Sequence, residues 1–421
     1  MGITETTDDT TEESEEEELG ARLKEFDPEI ISVATCMITY GIMFINIASI
    51  SPRRWNKEIV MSGLYQNASY ISRSNLSSKD KAVESLDFLA ISDRIQLNKT
   101  IVQDEKDCHH HKFLVYKCDY SRRCGGWGDR QRGIVSSFLL AMITGRAFVI
   151  DIEKPCSLEN ILIPHFYDWS VCKTFVNSIH NNNTNEFDFV GGSTFFKAIP
   201  NFDFKSKWKW QVIVLKNNQN LIRFLRRRKE ASKQLRWLFK LTEPNIYNVL
   251  LQILFQPTRD VLNYLEEFKL KVKGKSLVCS HIRKGQNPSI PEDDLFKEKP
   301  DEISIFNFLR HFKTSSKYVL YLASDSQSVR ETFSRTFNNS INLNVTIVHV
   351  DRLIFGMYPE AVCEGFRFAI IEQYILSLSD ILILTKSGFG RMAGYMRGKS
   401  DHLYLWSQKS RRVVLSDLQH I

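Results

Sequence analysis

Apolar runs that alternate with amphipathic stretches organise the chain from about residue 108 onward. Apolar runs of strand length occur at 147–151, 210–215, 276–281, 318–323, 345–350, 380–384 and 402–406. Helical spacing of apolar residues connects them, at 131–145, 220–241, 245–270 with a break at Pro257, 301–313, 326–337, 360–378 and 388–397. Strands that alternate with helices predict βαβ units and parallel sheets, so the fold class is α/β.

The alternation forms two blocks, which predict an N-terminal domain over 108–268 and a C-terminal domain over 269–421. The residues before them differ in pattern. Residues 1–29 hold 12 acidic and 2 basic side chains without apolar periodicity, which predicts a solvated acidic tail. Residues 30–50 are 21 positions without a charged side chain, long enough to cross the roughly 30 Å of a bilayer core. A buried core helix is the alternative interpretation.

The position and the charged flanks of this apolar stretch favour a transmembrane signal anchor over a core helix or a cleaved signal peptide. Residues 51–107 are polar and weakly patterned, and we interpret them as a stem. The positive-inside count around the span is nearly balanced, but all the glycosylation sequons follow it. They begin at Asn67, Asn75, Asn98, Asn182, Asn338 and Asn344. The expected topology is therefore single-pass type II, with the part after the span in the lumen.

Cysteine placement also indicates an oxidising compartment. Seven of the eight cysteines follow the span, five of them within 108–172, and none has the paired spacing of a zinc site. Because seven is odd, at least one of these thiols stays free or pairs between chains. Cys279 lies inside an apolar strand pattern, and we expect it to be a buried free thiol. This layout resembles that of type II Golgi glycan-modifying enzymes, which implies a Golgi membrane location.

Charge distribution favours an anionic ligand. The whole chain carries 56 basic and 49 acidic residues, but removal of the 1–29 tail leaves 54 and 37, a net charge of +17. This excess suits a nucleotide, a sulfated glycan or a nucleic acid. Because parallel strands present ligands at their carboxyl ends, the polar residues that follow the predicted strands are site candidates. They are His281, Arg283, Ser324, Asp325, Asp351, Arg352, Thr385, Lys386 and Ser387.

A glycine-rich segment in the N-terminal domain adds a second anion-binding candidate. Cys124-Gly-Gly-Trp-Gly-Asp-Arg-Gln-Arg-Gly133 directly precedes a predicted helix, and it contains Gly126, Gly128, Asp129 and Arg130. Glycines allow backbone N–H groups to approach an anion, and a helix N-terminus favours negative charge. The segment is neither a Walker loop nor a strict G-x-G-x-x-G motif. A purely structural turn is an equally open interpretation of the glycines alone.

Taken together, these motifs resemble those of the GDP-fucose-dependent fucosyltransferases, a superfamily with α-1,6-, plant xyloglucan α-1,2- and protein O-fucosyltransferases. The glycine-rich segment resembles the N-terminal motif of that family, His281-Ile-Arg283 its H-x-R motif, and Ala323-Ser-Asp325 its A-[ST]-D motif. The stretch from Glu372 through Thr385-Lys-Ser387-Gly-Phe-Gly-Arg391 resembles its last motif. The four matches follow the family order over roughly 108–400.

The resemblance implies a GT-B fold, in which two Rossmann-like domains face a cleft, and an inverting transfer without a metal or other cofactor. It implies that Arg283 binds the β-phosphate of GDP-fucose and steadies the leaving GDP, and that the other donor-binding residues surround it. These are Gly126, Gly128, Asp129, Arg130, His281, Asp325, Ser387, Gly388 and Arg391. In these roles His281 orients the nucleotide or the fucose, Asp325 contacts guanine or ribose, and Ser387 binds a phosphate oxygen.

The chain departs from the family at two positions and leaves the acceptor open. Lys284 stands where many α-1,6 enzymes have a second arginine, and Glu372 replaces their late-helix aspartate. An inverting transfer needs a carboxylate to deprotonate the acceptor hydroxyl. Glu292, Asp293 and Asp294 follow the H-x-R motif, and we name Glu292 first as catalytic base. The alternative is that this acidic loop is only solvated.

The expected partners are a nucleotide-sugar donor, a glycan or glycoprotein acceptor and one membrane, and no nucleic acid. Three other functions stay open. A metal-dependent GT-A glycosyltransferase would need an acidic metal pair, for which Asp151-Ile-Glu153 is the candidate. A luminal sulfotransferase would need a phosphate loop early in the chain, whereas Lys386-Ser387 comes late. A non-catalytic luminal glycan-binding protein would bind glycans without a nucleotide.

Overall fold

The computed structural model of the chain describes residues 105–121, 124–190, 195–285, 300–343, 345, 348, 350 and 359–421. The predicted acidic tail, the predicted membrane span and nearly all of the predicted stem lie outside these residues. None of the helices in the described ranges is both long and apolar enough to cross a bilayer. The architecture is α/β, built on two mainly parallel sheets.

The first lobe is built on a four-stranded, all-parallel sheet with the strand order β2-β1-β5-β4. A short antiparallel pair, β3 with β6, lies beside it. The strands are β1 (Phe113–Cys118), β2 (Ala147–Ile152), β3 (Leu162–Ile163), β4 (Thr184–Asp188), β5 (Val212–Lys216) and β6 (Gln256–Pro257).

The second lobe is built on a six-stranded sheet with the order β12-β11-β10-β7-β8-β9. All neighbours are parallel except β11 and β12. The strands are β7 (Ser276–Ile282), β8 (Tyr318–Ser324), β9 (Ser340–Ile341), β10 (Ile381–Leu384), β11 (Leu403–Ser407) and β12 (Arg412–Leu415).

Helices cover and connect the two sheets. In the first lobe they are α1 (Trp127–Thr144), α2 (Lys173–Ser178), α3 (Phe195–Ala198), α4 (Phe204–Lys207), α5 (Ile222–Leu225), α6 (Lys229–Gln234), α7 (Arg236–Phe239), α8 (Glu243–Leu254) and α9 (Arg259–Val272). In the second they are α10 (Glu302–Leu309), α11 (Gln327–Thr336), α12 (Pro359–Ser377) and α13 (Gly388–Arg397).

Several predicted elements need correction. The helix predicted over 220–241 is three short helices, α5 to α7, because the backbone is extended at Arg228 (φ −79°, ψ 124°) and leaves helical geometry again at Leu235 (φ −105°, ψ 22°). The glycine-rich segment is not a loop ahead of α1, since the helix begins at Trp127 and contains Gly128 and Gly133. The strand predicted over 345–350 is absent at the described residues 345, 348 and 350.

A continuous apolar core joins the lobes. Buried side chains from both sheets form one cluster, in which Trp127 of α1 packs against Phe255 and against Phe366 of α12, with ring centroids 6.0 and 5.5 Å apart. The Cys156–Cys363 disulfide links the lobes covalently across a sequence separation of 207 residues. Association of the lobes is therefore part of the fold.

As expected, one of the remaining described cysteines is free and the others form disulfides. Disulfides join Cys108 to Cys172 and Cys118 to Cys124 within the first lobe. Cys279 on β7 is buried and free, as its apolar surroundings predicted. Burial also raises the pKa of its thiol well above the ordinary value.

Candidate functional site

The order in which strands are added to the second sheet reverses beside β7, and the candidate site lies at this point. From β7 it proceeds to β8 and β9 on one side, and then crosses to β10 and β11 on the other. In open parallel sheets, ligands bind outside the carboxyl ends of the strands at such a switch point. The carboxyl ends of β8, β7 and β10 carry Asp325, Arg283 and Thr385, so the structure brings these three predicted rim residues to adjacent strand ends.

Arg283 is held at this edge by both neighbouring strands. Its backbone N–H donates to Thr385 Oγ1 over 2.9 Å, and its guanidinium forms an ion pair with Asp325. The Asp325 carboxylate also accepts from the backbone N–H groups of Lys284 (2.7 Å) and Gly285 (2.8 Å). Asp325 was expected to contact guanine or ribose. Its described partners give it another task, because its two oxygens fix the segment that carries Arg283.

Lys284, which departs from the resembled family, points away from Arg283. Its ammonium group donates to the Pro300 carbonyl over 3.0 Å and forms an ion pair with Glu302 at the start of α10. The side chain is only 11% exposed. Lys284 therefore anchors the chain after β7 to α10, and Arg283 is the cation that this turn leaves nearest the strand ends.

His281 is buried beneath the rim and faces α13. A Cβ atom on Gly390 would lie 2.8 Å from its Nδ1, and its ring lies 5.3 Å from the Phe389 ring, centroid to centroid. Within the described residues Nδ1 has no hydrogen-bond partner. Burial is the main cause that lowers the pKa of His281 to about 4; the Asp325 charge opposes this shift, and the positive charges of Arg283 and Arg330 contribute to it. The imidazole is therefore neutral at physiological pH.

Ser387 caps the helix that begins at the carboxyl end of β10. Its hydroxyl accepts from the Phe389 backbone N–H over 3.2 Å, which is an N-cap interaction that satisfies one of the unpaired donors of α13. The ten residues of α13 direct the positive end of their dipole toward the same edge as Arg283. A helix N-terminus next to an arginine is suited to a phosphate group.

The N-terminus of α1 meets the N-terminus of α13. A Cβ atom on Gly128 would lie 2.5 Å from the carbonyl carbon and oxygen of Gly388, so only glycine allows this approach. Gly126 differs, because a Cβ there would have no heavy atom within 4 Å. Of the two predicted donor-binding glycines, Gly126 borders open space and Gly128 is a packing contact between the lobes. Gly388 also lies at this contact, because a Cβ atom on Gly388 would lie 3.4 Å from Asp129 Oδ1.

Charged side chains surround the two helix starts. Asp129 forms an ion pair with Arg132 one turn along α1. Arg391 lies on the first turn of α13, and its Nε is buried without a hydrogen-bond partner among the described residues. Burial raises the pKa of the neighbouring Tyr395, and the positive charges of Arg391 and Arg132 oppose that rise. Asp129 and Arg391 thus lie together with Gly126 and Gly388 near the α1–α13 contact.

Arg130 requires a correction, since it was expected to bind the donor. The side chain is fully buried, and its nitrogens donate to the backbone carbonyls of Gly125 (3.0 Å), Lys154 and Val350 (3.1 Å). Its guanidinium also lies 5.4 Å from the centre of the Phe366 ring. Arg130 is therefore a structural link between the glycine-rich segment and the second lobe.

Asp151 of the rival D-x-E pair has a comparable structural explanation. Its carboxylate is 3% exposed and lies between the ammonium groups of Lys117 (3.6 Å) and Lys173 (3.3 Å). Among the residues that the structure describes, no group of three or more His, Cys, Asp or Glu side chains could hold a metal ion. Glu292, Asp351 and Arg352 lie outside the described residues, so the predicted role of Glu292 as base stays a prediction.

Two polar groups with a clear part in this architecture were not identified from the sequence. Gln373 of α12 accepts from Trp127 Nε1 (2.9 Å) and Gln131 Nε2 (2.8 Å), and donates to the Phe389 carbonyl (3.2 Å), which ties α12 to α1 and α13. Arg330 of α11 donates to the Ser324 carbonyl over 2.7 Å. A polar residue inside an apolar helical pattern was the available signal for Gln373.

Comparison with known proteins supports the fold. No protein-family model and no curated protein matches the chain. Among solved structures, a mutant of Arabidopsis thaliana FUT1 in complex with GDP has a TM-score of 0.50 at 14% identity, over 84% of this chain and 81% of that chain. NodZ α-1,6-fucosyltransferase soaked with GDP-fucose reaches 0.47 at 13% identity, over 73% of this chain and 99% of that chain.

POFUT1 in complex with GDP-fucose has a TM-score of 0.39 at 10% identity, over 69% of this chain and 95% of that chain. Of these three proteins, the Arabidopsis protein alone reaches a TM-score of 0.50. At this level of identity the likeness concerns the arrangement of the backbone. The two-sheet α/β architecture of this chain is the fold of the Arabidopsis FUT1 protein.

Proposed function

We propose that the protein is an inverting glycosyltransferase that moves fucose from GDP-fucose to a glycan or glycoprotein acceptor. The fold is then of the GT-B type, with a Rossmann-like domain on each sheet and the donor between them. The observation that carries the proposal is the position of Arg283. It lies at the carboxyl end of β7, beside the switch point and near the N-terminus of α13.

The charges at this edge suit a sugar diphosphate. An arginine side chain is always charged, and the planar fork of Arg283 can pair with two phosphate oxygens. The capped N-terminus of α13 adds backbone donors and a positive partial charge. Gly126 leaves room for a ligand to approach the start of α1. The FUT1 structure with the same fold was solved with GDP, which supports a guanosine nucleotide as the first ligand to test.

In this mechanism the acceptor hydroxyl oxygen attacks the anomeric carbon of fucose as the bond to the β-phosphate oxygen breaks. Negative charge then builds on the departing GDP, where Arg283 and the α13 N-terminus stabilise it. The hydroxyl proton passes to a carboxylate, for which Glu292 is the candidate. His281 remains neutral and supports α13 from beneath. No metal takes part in this scheme.

The proposal also includes the cellular compartment in which the protein folds. The three disulfides support folding in an oxidising lumen, because such bonds persist in the secretory pathway. Asn182 and Asn338 of the predicted sequons are exposed, as an acceptor for glycosylation must be. We therefore place the protein in the Golgi membrane, with the 30–50 span as anchor and the described residues luminal. A glycosidase-sensitive gel shift, together with protection from added protease in intact microsomes, would support this topology.

A donor screen tests the activity. The full chain, purified in detergent, is offered GDP-fucose, GDP-mannose and UDP-sugars, and donor hydrolysis and thermal shift are measured with and without EDTA. We expect stabilisation and slow hydrolysis with GDP-fucose, unchanged by EDTA. Stabilisation by a UDP-sugar that depends on Mn²⁺ would favour a GT-A-type activity instead. Glycan binding in the absence of any nucleotide effect would favour a non-catalytic glycan-binding protein.

A further inference from the structure

A buried ion pair lies directly behind the rim of the second sheet. Arg330 of α11 donates from both terminal nitrogens to the Glu372 carboxylate of α12, over 2.8 and 2.9 Å. The two side chains are only 12% and 10% exposed. On the far side, the Tyr321 hydroxyl donates to the same carboxylate over 2.9 Å. Burial disfavours the charged form of Arg330, yet the charge and hydrogen bonds of Glu372, together with Tyr321 and Asp325, outweigh it and raise the pKa of the guanidinium.

Such a pair calls for an explanation beyond stability. Removing two charges from water is costly, and apolar residues of similar volume often stabilise a fold equally well. What this pair adds is geometry, because a bidentate arginine–carboxylate contact fixes the guanidinium plane. The fork also fixes the direction of Arg330 Nε, the third nitrogen of the guanidinium.

That third donor holds the end of β8. Arg330 Nε donates to the Ser324 carbonyl over 2.7 Å, and the Ser324 hydroxyl donates to the Ile282 carbonyl of β7 over 2.8 Å. The Ser326 backbone N–H donates to the same hydroxyl over 3.2 Å. Both residues that flank Asp325 are therefore fixed, and the backbone has little freedom to redirect the carboxylate.

Asp325 transmits this placement to Arg283. Its carboxylate accepts from the backbone N–H groups of the two residues that follow Arg283 and forms the ion pair with the Arg283 guanidinium. The contacts thus run without interruption from Glu372 through Arg330, the Ser324 backbone and Asp325 to the proposed phosphate-binding arginine. Glu372, Arg330 and Ser324 can therefore influence Arg283 without touching the donor.

We infer that Arg330 and Glu372 are positioning residues for Arg283, which set the direction in which its guanidinium meets the diphosphate. This inference rests on the proposed function, since it assumes that Arg283 binds a nucleoside diphosphate. It assigns Glu372, at the position where the resembled family has an aspartate, a role in the orientation of another side chain. A positioning role also distinguishes the Arg330–Glu372 pair from the other buried arginines.

Arg397 supplies the matched control for a purely structural arginine. It is also buried, and its guanidinium donates to backbone carbonyls at the C-terminal end of α13: Ser379 (2.9 Å), Lys399 (2.8 Å), Asp380 (2.5 Å) and Asp401 (2.6 Å). These contacts lie at the opposite end of the helix from Ser387. An arginine-to-lysine change there removes a comparable fork without reaching the rim.

The experiment compares Arg330→Lys, Glu372→Gln and Arg397→Lys in the full chain. Each is made in the wild-type and in the Arg283→Lys background, with the GDP dissociation constant measured by calorimetry and the melting temperature measured beside it. We expect Arg330→Lys and Glu372→Gln to weaken GDP binding roughly 10–100-fold, by analogy with the loss of affinity when a residue that orients a metal ligand is removed. Arg397→Lys should lower the melting temperature and leave GDP binding within about twofold of wild type.

The double variants decide between positioning and general damage. If Arg330 acts through Arg283, its substitution has little further effect on GDP binding once Arg283 is lysine, because coupled residues are not additive. Equal effects in both backgrounds, or an equal loss in Arg397→Lys, would overturn the inference. Tyr321→Phe, which removes the contact on the far side of the pair, should leave GDP binding unchanged.

The same measurements distinguish this inference from the proposal beneath it. A wild-type chain that binds no GDP would remove the proposed function and the inference together. A wild type that binds GDP, loses it in Arg283→Lys and keeps it in both Arg330→Lys and Glu372→Gln would leave the proposed function in place and refute the positioning role. If Arg330→Lys does not fold, the isosteric Glu372→Gln carries the same test.

Discussion

Substituting alanine for Gly128 tests the contact between the two helix N-termini. The added Cβ would lie 2.5 Å from the carbonyl carbon and oxygen of Gly388 and 2.6 Å from the Phe389 nitrogen, whereas ordinary contact begins at 3.4 Å. The obstacle is backbone on both sides, so no side chain can rotate away. Helices α1 and α13 must separate by nearly the difference between the 2.5 and 3.4 Å distances to admit the methyl group.

The free-energy cost of this separation depends on the hydrogen bonds that hold the same helices together. Gln373 joins Trp127 and Gln131 of α1 over 2.9 and 2.8 Å, distances that a shift of this size would carry beyond hydrogen-bond range. Overpacking typically costs 1–3 kcal/mol, and each lost hydrogen bond about 1 kcal/mol. The higher helix propensity of alanine returns up to about 1 kcal/mol. We expect a net destabilisation of about 2–4 kcal/mol, or roughly 4–8 °C in melting temperature.

Gly126→Ala is the matched control two residues earlier. Its Cβ would meet no heavy atom within 4 Å, and its φ of −65° and ψ of 172° suit alanine. Its stability should change by less than about 1 kcal/mol, the effect of a poorer N-cap residue. Donor affinity should fall in this variant, since the methyl group points into the space proposed for the ligand. Both variants are measured by thermal unfolding and by GDP-fucose binding. Equal melting temperatures for the two would refute the packing argument.

Three further predictions follow from the site and the core. Arg283→Lys should lower kcat with GDP-fucose roughly 10²–10³-fold at an unchanged melting temperature, because lysine keeps the charge without the fork, and full activity would remove Arg283 from the mechanism. Burial lowers the pKa of His281 from 6.5 to about 4, so the unfolded chain binds a proton between these pH values that the folded chain does not. The contribution of neutral His281 to the free energy of unfolding should therefore be fully present above about pH 6.5 and be lost as the pH falls toward 4. Urea titrations at about pH 7.5 and 5 should show a loss of unfolding free energy that is about 2 kcal/mol larger for wild type than for His281→Gln. Cys279 should resist alkylation in the folded protein and react after denaturation, as followed by peptide mass spectrometry, since its thiol is buried.

The sequence predicts most of the strands whose apolar runs are buried on both faces, although β1 (Phe113–Cys118), a buried central strand, was missed. Strands β7 and β8 are bounded almost as expected, because burial of nearly every residue leaves a continuous apolar run. Strand β4 was not predicted, since it is a polar edge strand, Thr184–Asp188, with no buried residue. Its place is set by pairing with β5, which is a tertiary contact rather than a local pattern.

The candidate site divides in the same way. Rim positions such as Arg283 and Asp325 can be predicted because each directly follows a strand. The direction of a side chain depends on the helix register, and this is why Arg130 was misassigned. Once α1 is known to begin at Trp127, Arg130 falls on the face that also buries Trp127 and Ile134, three and four residues away. Partners that lie far apart in sequence, such as Arg330 and Glu372, have no local signature.

The Cys156–Cys363 disulfide imposes an order on biosynthesis. Cys108, Cys118, Cys124 and Cys172 find their partners within 64 residues, so these bonds can close as soon as the first lobe has emerged from the ribosome. Cys156 has to wait for another 207 residues of synthesis while it lies between cysteines that are already available to it. The nascent first lobe therefore carries one reactive thiol throughout translation of the second. Correct pairing depends on protection of that thiol, or on a disulfide isomerase that corrects its errors, until Cys363 has been synthesised.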